Sequence, residues 1–265
     1  MKMIIRLFIL LCLMLSAPAS MAMAETSIGL KDNEIYYAFF NLPDGEAALL
    51  EGNGGAVLIN TGSPQSEEAL FNQLEELEVT EINTLILTKQ LMDYCGNARQ
   101  LIEQFQPKSV AYTGKLSNTC QTQLENTNIE VWDNGKSIEM PMGGTLTVLK
   151  AEESGEMTLD ITYGKTSMLF LSNSHIEDED ELLQYELDPQ IIKIGDYARG
   201  KSPSGYLLDK IDPHIGIIYN CKQGLPNEGL MERLNESWID VYHLKQVGTT
   251  IIRLNETDYE VLSFD

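Results

Sequence analysis

Three residues of this sequence have side chains that can coordinate a metal ion and lie in loops shortly after predicted strands. They are Asp93, His175 and Asp196. Carboxylates and neutral imidazoles are typical zinc ligands, and a zinc-bound water attacks esters, lactams and phosphodiesters near neutral pH. If the chain binds a metal at all, as a divergent hydrolase would, these three residues are its candidate ligands. The chain offers no serine or cysteine with a nearby base that would support a nucleophile instead.

The elements that must position these loops follow an ordered pattern. Apolar, aromatic and β-branched runs predict strands at residues 34–40, 47–51, 56–60, 82–88, 109–112, 137–140, 145–149, 157–163, 167–171, 191–194, 215–219, 250–254 and 259–262, and near residue 241. Helical spacing predicts helices at residues 66–77, 98–105, 178–185, 205–211 and 228–234. Two mixed sheets packed together, with helices outside, fit this order.

The N-terminal residues 1–24 read as a secretory signal peptide. Lys2 and Arg6 form a basic start, an unbroken apolar run covers residues 7–15, and small residues end at Ala24. The run is too short for a permanent membrane helix, which needs roughly 20 residues, so no stable span is expected after cleavage. An uncleaved N-terminal anchor is the alternative. Residues 25–265 then form one domain, which is secreted, at the cell surface or periplasmic.

The charge of the chain excludes one class of partner. Its formal net charge is −22, and removal of Lys2 and Arg6 with the leader takes it to −24. Nucleic-acid phosphates repel such a chain, and it has no cluster of basic and aromatic residues, so no nucleic-acid partner is expected. The acidic residues are spread along the sequence, which is typical of a solvated surface.

Three cysteines remain after cleavage, namely Cys95, Cys120 and Cys221. Thiols tend to pair outside the cytoplasm, and three cysteines allow at most one internal disulfide. Cys95–Cys120 is favoured because it closes a short loop. None of the three stands in a Cys-x-x-Cys spacing, so no zinc knuckle or thioredoxin-like motif is indicated.

A series of short motifs, spread over nearly the whole domain, carries a resemblance. They are Gly-Glu-Ala at 45–47, Ile-Asn-Thr-Gly at 59–62, Thr-Lys-Gln-Leu-Met-Asp-Tyr at 88–94, Tyr-Gly-Lys-Thr-Ser at 163–167, Asn-Ser at 173–174, Ile-Lys-Ile-Gly-Asp-Tyr-Ala-Arg at 192–199 and Leu-Pro at 225–226. In order and context they resemble the metallo-β-lactamase superfamily, and most closely the extracellular domain of ComEC-type DNA-uptake proteins and its free-standing relatives. The resemblance implies an α+β or α/β fold, a four-layer αββα sandwich.

The same motifs depart from the pattern at the metal ligands that the resemblance implies. Relatives carry Ile-Asp-Thr-Gly, Thr-His-x-His-x-Asp-His, Gly-Asp, Leu-Lys-Val-Pro-His-His-Gly-Ser and His-Pro. A protonated lysine cannot coordinate a metal, leucine has no donor atom, and aspartate still could coordinate. The degenerate positions are Asn60, Lys89, Leu91, Asp93, Tyr94, Ser174, Asp196 and Leu225.

The retained carboxylates suggest what could replace the metal. Asp93 and Asp196 should border the same cavity, and two neighbouring carboxylates require a cation or a proton. We therefore expect the Lys89 ammonium to lie between them. Lys89→Met should then lower stability more at neutral than at low pH. The alternative is that Lys89 points into solvent.

Three functions remain open from the sequence. The first is a pseudoenzyme without a cofactor, which binds a ligand or a protein outside the cytoplasm. The second is a divergent hydrolase that binds zinc through Asp93, His175 and Asp196. The third is an accessory protein of DNA uptake, against which the charge and the missing multi-span membrane portion weigh. Metal analysis of the mature chain separates the first two.

Overall fold

The computed structural model describes residues 28–124 and 127–263. The signal peptide predicted over residues 1–24 lies outside the described residues. Within the described ranges, no helix is long and apolar enough to cross a membrane.

Two mixed β-sheets form the centre of the described chain. In chain order the strands are β1 (Ile35–Phe39), β2 (Ala48–Gly52), β3 (Gly55–Ile59), β4 (Thr84–Ile86), β5 (Ser109–Tyr112), β6 (Ile129–Val131), β7 (Ser137–Glu139), β8 (Thr145–Ala151), β9 (Met157–Tyr163), β10 (Thr166–Phe170), β11 (Ile191–Lys193), β12 (Ile215–Ile218), β13 (Asp240–His243), β14 (Thr250–Leu254) and β15 (Tyr259–Ser263). The first sheet has the order β15-β14-β1-β2-β3-β4-β5-β6, and the second has the order β13-β12-β11-β10-β9-β8-β7.

Each sheet has an antiparallel part and a parallel part. Strands β3 to β6 are parallel in the first sheet, and β10 to β13 are parallel in the second. Parallel strands need crossover connections, and helices supply most of them here. The carboxyl ends of the parallel strands therefore share an edge in each sheet, which is where ligand sites of such sheets usually lie.

The helices are short and amphipathic, because each buries only one face. They are α1 (Glu67–Glu76), α2 (Met92–Cys95), α3 (Ala98–Phe105), α4 (Asn118–Gln121), α5 (Gly205–Ile211), α6 (Glu228–Glu236) and α7 (Leu244–Val247). The side chains of Ser204 and Asn227 accept hydrogen bonds from Leu207 N and Leu230 N, which caps α5 and α6. Helix α1 buries Leu70 and Leu74 and begins after a 3₁₀ turn.

Three apolar clusters separate four layers. The central cluster joins the facing sides of the two sheets, for example Phe39 and Ile59 with Leu159 and Ile217. The second packs the outer side of the first sheet against α1 and α3. The third packs the outer side of the second sheet against α5 and α6. The αββα sandwich predicted from the sequence is confirmed.

The predicted helix at residues 178–185 is wrong. The segment forms two 3₁₀ turns, Ile176–Asp178 and Leu182–Gln184. Glu179, which lies between them, makes its side-chain hydrogen bonds outside the segment. The buried Glu179 carboxylate accepts hydrogen bonds from Ser202 Oγ at 2.6 Å and Ser204 N at 2.8 Å. A continuous helix would have to preserve these contacts, and this tertiary hydrogen bonding outweighs the local helix propensity.

Candidate functional site

The motif-bearing loops meet above the carboxyl ends of the parallel strands. Tyr94, in helix α2 after β4, and Tyr197, in the turn after β11, have ring centroids 6.1 Å apart. The Tyr197 hydroxyl donates to Asp93 Oδ2 at 3.4 Å. Segments that follow strands of both sheets are thus in direct contact here.

A fully buried ion pair lies at the inner wall of this site. Lys193 Nζ is 2.5 Å from Glu46 Oε2, and both side chains are 0% exposed. Lys193 Nζ also donates to Leu171 O at 3.3 Å. The same ammonium lies 4.6 Å from the Phe170 ring centroid and 5.7 Å from that of Tyr219. Aromatic faces attract cations, so these rings add to the stabilisation that the carboxylate supplies.

Burial and charge act in opposite directions on this pair. Burial raises the pKa of Glu46, while the nearby Lys193 and Lys89 ammonium groups lower it. Burial likewise lowers the pKa of Lys193, and Glu46 opposes that shift. Tyr94 Oη donates to the other carboxylate oxygen, Glu46 Oε1, at 3.3 Å. Since each charge compensates the other, removal of either side chain would leave an uncompensated charge in the protein interior.

The position of Glu46 depends on a glycine before it. A Cβ atom on Gly45 would lie 2.4 Å from Asp93 O, and Gly45 has φ +87°. The amide of Glu46 donates to the same Asp93 oxygen at 3.0 Å. Only glycine fits this approach without strain. The loop that carries Glu46 is thereby fastened directly to the loop that carries Asp93.

Lys89 does not lie between Asp93 and Asp196, and the expectation that it would is wrong. Its side chain is 5% exposed, and Nζ pairs at 2.7 Å with Glu156 Oε1 in the turn between β8 and β9. The ammonium is also 5.8 Å from the Tyr94 ring centroid. Lys89 is therefore buried and does not point into solvent, so the alternative expectation is also wrong. Its partner is Glu156. We call Glu46, Lys89, Tyr94, Glu156 and Lys193 the inner group.

Arg199 is the cation beside the two aspartates. Its Nη2 lies 2.6 Å from Asp196 Oδ1. Burial and the neighbouring Asp44 raise the pKa of Asp93, and the Tyr197 hydrogen bond and Arg199 lower it. A cation therefore does lie beside these two carboxylates, and it is Arg199 instead of Lys89.

The remaining degenerate positions divide into buried and exposed ones. Asn60 is fully buried, and its side-chain amide is joined to Thr88 by three hydrogen bonds. Asn60 Nδ2 donates to Thr88 Oγ1 at 2.9 Å, and Thr88 N and Oγ1 donate to Asn60 Oδ1 at 2.8 Å and 3.2 Å. Leu91 and Leu225 are 56% and 84% exposed. Asn60 is thus a structural link between strand ends, whereas the two leucines present apolar surface to solvent. We call Leu91, Asp93, Asp196, Arg199 and Leu225 the outer group.

Ser174 and His175 do not reach the inner group. Ser174 is half-buried, and its carbonyl accepts from Lys201 N at 2.9 Å and Ser202 N at 3.2 Å. His175 is exposed, and its carbonyl accepts from Asn173 Nδ2 at 3.2 Å. Their loop is therefore held through its backbone.

A left-handed turn shapes the Asp196 loop. Asp196, Tyr197 and Ala198 have φ values of 47°, 57° and 58°. Non-glycine residues in this region cost roughly 1–2 kcal/mol each. The turn is held by hydrogen bonds at both ends, from Arg199 N to Asp196 O at 3.0 Å and from Asn227 N to Ala198 O at 2.7 Å. Surrounding packing thus maintains a strained backbone at the site.

A disulfide fastens the Asp93 loop from behind. Cys95 of α2 is bonded to Cys120 of α4, the pair favoured from the sequence, and both residues are fully buried. Cys221 is a free thiol and is half-buried. Burial is the main cause that raises the pKa of Cys221.

The donor set does not fit a zinc centre. Asp93 accepts from Tyr197, Asp196 is paired with Arg199, and His175 is turned out to solvent. Across residues 28–124 and 127–263, no three His, Cys, Asp or Glu side chains are arranged to hold a metal ion. The ammonium groups of Lys89 and Lys193 further disfavour a divalent cation at the inner wall.

Sequence reasoning missed three residues of this arrangement. Lys193 is a charge inside the apolar run Ile-Ile-Lys-Ile at 191–194, which signals a buried lysine that needs a partner. Glu46 similarly precedes the apolar run at 47–50. Glu156 is one of four acidic residues between 152 and 160 and carries no comparable signal.

Solved structures of the metallo-β-lactamase fold resemble this chain. The metallo-β-lactamase fold protein YhfI from Bacillus subtilis has a TM-score of 0.58 and 12% identity, over 78% of this chain and 96% of its own. Igni18, a metallo hydrolase from Ignicoccus hospitalis, has a TM-score of 0.58 and 10% identity, over 87% of this chain and 100% of its own. Tm1679, a metal-dependent hydrolase of the β-lactamase superfamily, has a TM-score of 0.58 and 11% identity, over the same 87% and 100%.

The class that fold and similarity define is therefore clear. The protein has the metallo-β-lactamase fold, with two mixed sheets inside two helical layers. Its sequence matches no protein-family model and has no match among curated proteins. At 10–12% identity the likeness concerns the fold, and the closer resemblance to ComEC-type domains remains a prediction.

Proposed function

We propose that this protein is a non-catalytic member of the metallo-β-lactamase fold that binds a small ligand or a protein outside the cytoplasm. One observation carries the proposal. The inner wall contains two ammonium groups, and each is paired with a carboxylate of the same chain, Lys193 with Glu46 at 2.5 Å and Lys89 with Glu156 at 2.7 Å. The charges of the site are thereby balanced internally.

A metal ion at the inner wall would have to displace these two ion pairs. Zinc binding needs unprotonated donors on converging loops. Lys89 stands where the family resemblance places a histidine, and its Nζ is paired with Glu156 at 2.7 Å, whereas an ammonium group has no lone pair with which to coordinate a metal. Loss of the charge of the fully buried Lys193 would leave Glu46 buried and unpaired, which costs several kcal/mol, whereas Glu156 is 30% exposed and can turn toward water. Hydrolysis through a metal-bound water is therefore not supported by these residues.

Metal analysis is the primary test. The purified full chain is incubated with zinc and dialysed against buffer of the same pH. The zinc bound per protein molecule is then measured by inductively coupled plasma mass spectrometry. We expect no stoichiometric zinc in the wild-type protein. Stoichiometric zinc that survives dialysis would refute the proposal and favour the divergent hydrolase.

A restored variant serves as the positive control. Lys89→His/Leu91→His creates two imidazoles on the loop that already carries Asp93, and the three side chains match the motif of the fold's metal-binding relatives. We expect this variant to retain more zinc than wild type, provided that circular dichroism shows the same folded state. Equal zinc contents would show that the residues of the other loops also prevent zinc binding. The wild-type measurement would then decide alone.

Export is the second part of the proposal, supported by the basic start and apolar run of residues 1–24. Mass spectrometry of protein from a bacterial secretory host should give a chain that begins at Glu25. An intact N-terminus in the membrane fraction would favour the retained anchor. A role in DNA uptake has less support, since a net charge of −22 opposes contact with phosphates.

A further inference from the structure

A small cavity at the carboxyl ends of β12 and β13 differs in charge from its surroundings. It measures about 40 Å³, and its walls include the basic residues Arg199, His243 and Lys245 without any aspartate or glutamate. Four larger cavities of the described chain each have at least one carboxylate in their walls. In a protein with 40 acidic and 18 basic residues, an acid-free basic cavity is unexpected.

The cations of this cavity have capacity for a further partner. Lys245 is exposed and, among the described residues, has no carboxylate within ion-pair distance. Burial and the nearby Lys245 charge lower the pKa of His243. Arg199 bonds to Asp196 and to Gln223 O through three of its five N–H groups. An anion in the cavity would therefore be attracted to Lys245 and Arg199, and it would offset the effect of the Lys245 charge on His243.

The shape of the cavity limits the size of that anion. A volume of 40 Å³ holds about three water molecules, since one water occupies roughly 10–15 Å³ on this measure. A carboxylate group has about this size. At the rim lie Leu225, which is 84% exposed, and Pro226, which is half-buried. Such a rim suits an apolar chain attached to the carboxylate.

We propose that this cavity binds the carboxylate of a small acid that carries a short apolar chain. The inference deepens the proposed function, on which it rests, because it names a ligand class for the same end of the fold. Lys245 and Arg199 supply charge-assisted hydrogen bonds to the carboxylate. Leu225 covers part of the chain and loses exposed apolar surface.

The free thiol in the cavity wall provides a direct test. Cys221 lines the cavity, so an occupant should slow its alkylation by iodoacetamide. The rate is followed by peptide mapping of the full-length protein, at constant ionic strength, with increasing hexanoate. Hexanol and hexylamine are the neutral and cationic controls, and acetate and phosphate test the need for the apolar chain and for the carboxylate.

The expected result is saturable protection by hexanoate with a dissociation constant on the order of 1 mM. Acetate should protect more weakly, and hexanol, hexylamine and phosphate should not protect. Equal protection by hexanol, protection by phosphate in place of hexanoate, or no protection up to about 20 mM hexanoate would overturn the proposal.

Matched variants locate the effect. Lys245→Met should weaken protection about tenfold, the loss of roughly one charge-assisted hydrogen bond. Lys222→Met is the control, because Lys222 is exposed nearby but does not line the cavity. Equal weakening in both variants would contradict the proposed site. As a second readout in folded protein, the NMR-measured pKa of His243 should rise when hexanoate binds, and an unchanged value would also count against it.

The outcomes separate this inference from the proposed function. Stoichiometric zinc in the wild-type protein would refute the non-catalytic function while leaving the protection experiment valid. Missing protection, with no zinc bound, would remove the carboxylate site and leave the non-catalytic function intact.

Discussion

The inner and outer groups lie at the same end of the fold but neutralise their charges differently. In the inner group, Glu46 and Lys193 are fully buried and depend on each other. In the outer group, Asp196 and Arg199 form a pair whose side chains are 28% and 35% exposed. Water can replace either partner there. Two ion pairs of similar length thus contribute differently to stability, because only the inner pair is fully removed from water.

This difference assigns separate roles to the two groups. Buried pairs are costly to break, so the inner group connects the two sheets and belongs to the stability of the fold. Exposed pairs contribute about 0–1 kcal/mol. The outer group can therefore change its partners, and it borders the basic cavity through Arg199 and Leu225. The proposed binding would therefore involve the outer group.

The largest effect is expected from Lys193→Met. It leaves the Glu46 carboxylate buried and unpaired, which should lower the free energy of unfolding by about 3–5 kcal/mol. Urea denaturation of the variant measures the loss. The double variant Glu46→Leu/Lys193→Met removes both charges and should recover most of it. A single variant as stable as wild type would show that the pair has no structural weight.

The loss in Lys193→Met should depend on pH. Without Lys193, burial raises the pKa of Glu46 further above its ordinary value of 4.5. The folded state then binds a proton more tightly than the unfolded state does. Its stability is highest below pH 4.5 and falls as the pH rises toward the raised pKa. Denaturation of this variant at pH 5 and pH 7 should therefore show the larger loss at pH 7.

The next effect concerns the disulfide that fastens the loop between the two groups. Cys95→Ser/Cys120→Ser removes a crosslink that spans 25 residues, and should lower stability by about 2–4 kcal/mol. Thermal unfolding under oxidising conditions measures it. Wild-type protein treated with reductant in mild denaturant is the control, and a variant that unfolds at the wild-type temperature would contradict the prediction.

A smaller effect is expected from Lys89→Met. The methionine preserves most of the apolar contact, and Glu156, whose side chain is 30% exposed, can turn toward water. Stability should fall by about 1–2 kcal/mol. A double-mutant cycle with Glu156→Gln should give coupling, and the matched cycle with Asp93→Asn should give less. The reverse order would restore the Lys89–Asp93 arrangement expected from the sequence.

The smallest effect is expected in the outer group. Leu225→Ser removes a side chain that is 84% exposed, so stability should change by no more than about 0.5 kcal/mol. The same variant should weaken hexanoate protection of Cys221, because the rim loses apolar surface. A large loss of stability with unchanged protection would erase the contrast between the two groups.

The fold was predictable because its core elements are locally consistent. Helices at 98–105 and 205–211 and strands at 109–112, 157–163 and 250–254 were predicted with the observed bounds. Strand β6 was missed because Ile-Glu-Val is only three residues long and has two exposed apolar side chains. The helix predicted at 178–185 failed because Glu179 is committed to Ser202 and Ser204, which no local pattern reveals.

The site was predictable in location but not in pairing. Motif order placed Asp93, Asp196 and Lys89 at the same edge, and the structure has them there. The choice of partner depends on distances between residues far apart in sequence, such as Lys89 and Glu156 or Glu46 and Lys193. Arg199 took the place expected for Lys89 because it lies three residues from Asp196 and reaches its carboxylate directly.

The left-handed turn at Asp196, Tyr197 and Ala198 also stores free energy beside the basic cavity. Three unfavourable backbone conformations amount to roughly 3–6 kcal/mol, comparable with the net stability of many domains. Tyr197 lines the cavity, and Arg199 follows the turn. An occupant that lets even one residue return to negative φ recovers part of that energy as affinity. If the proposed ligand binds there, we therefore expect its affinity to be coupled to the backbone conformation of this turn.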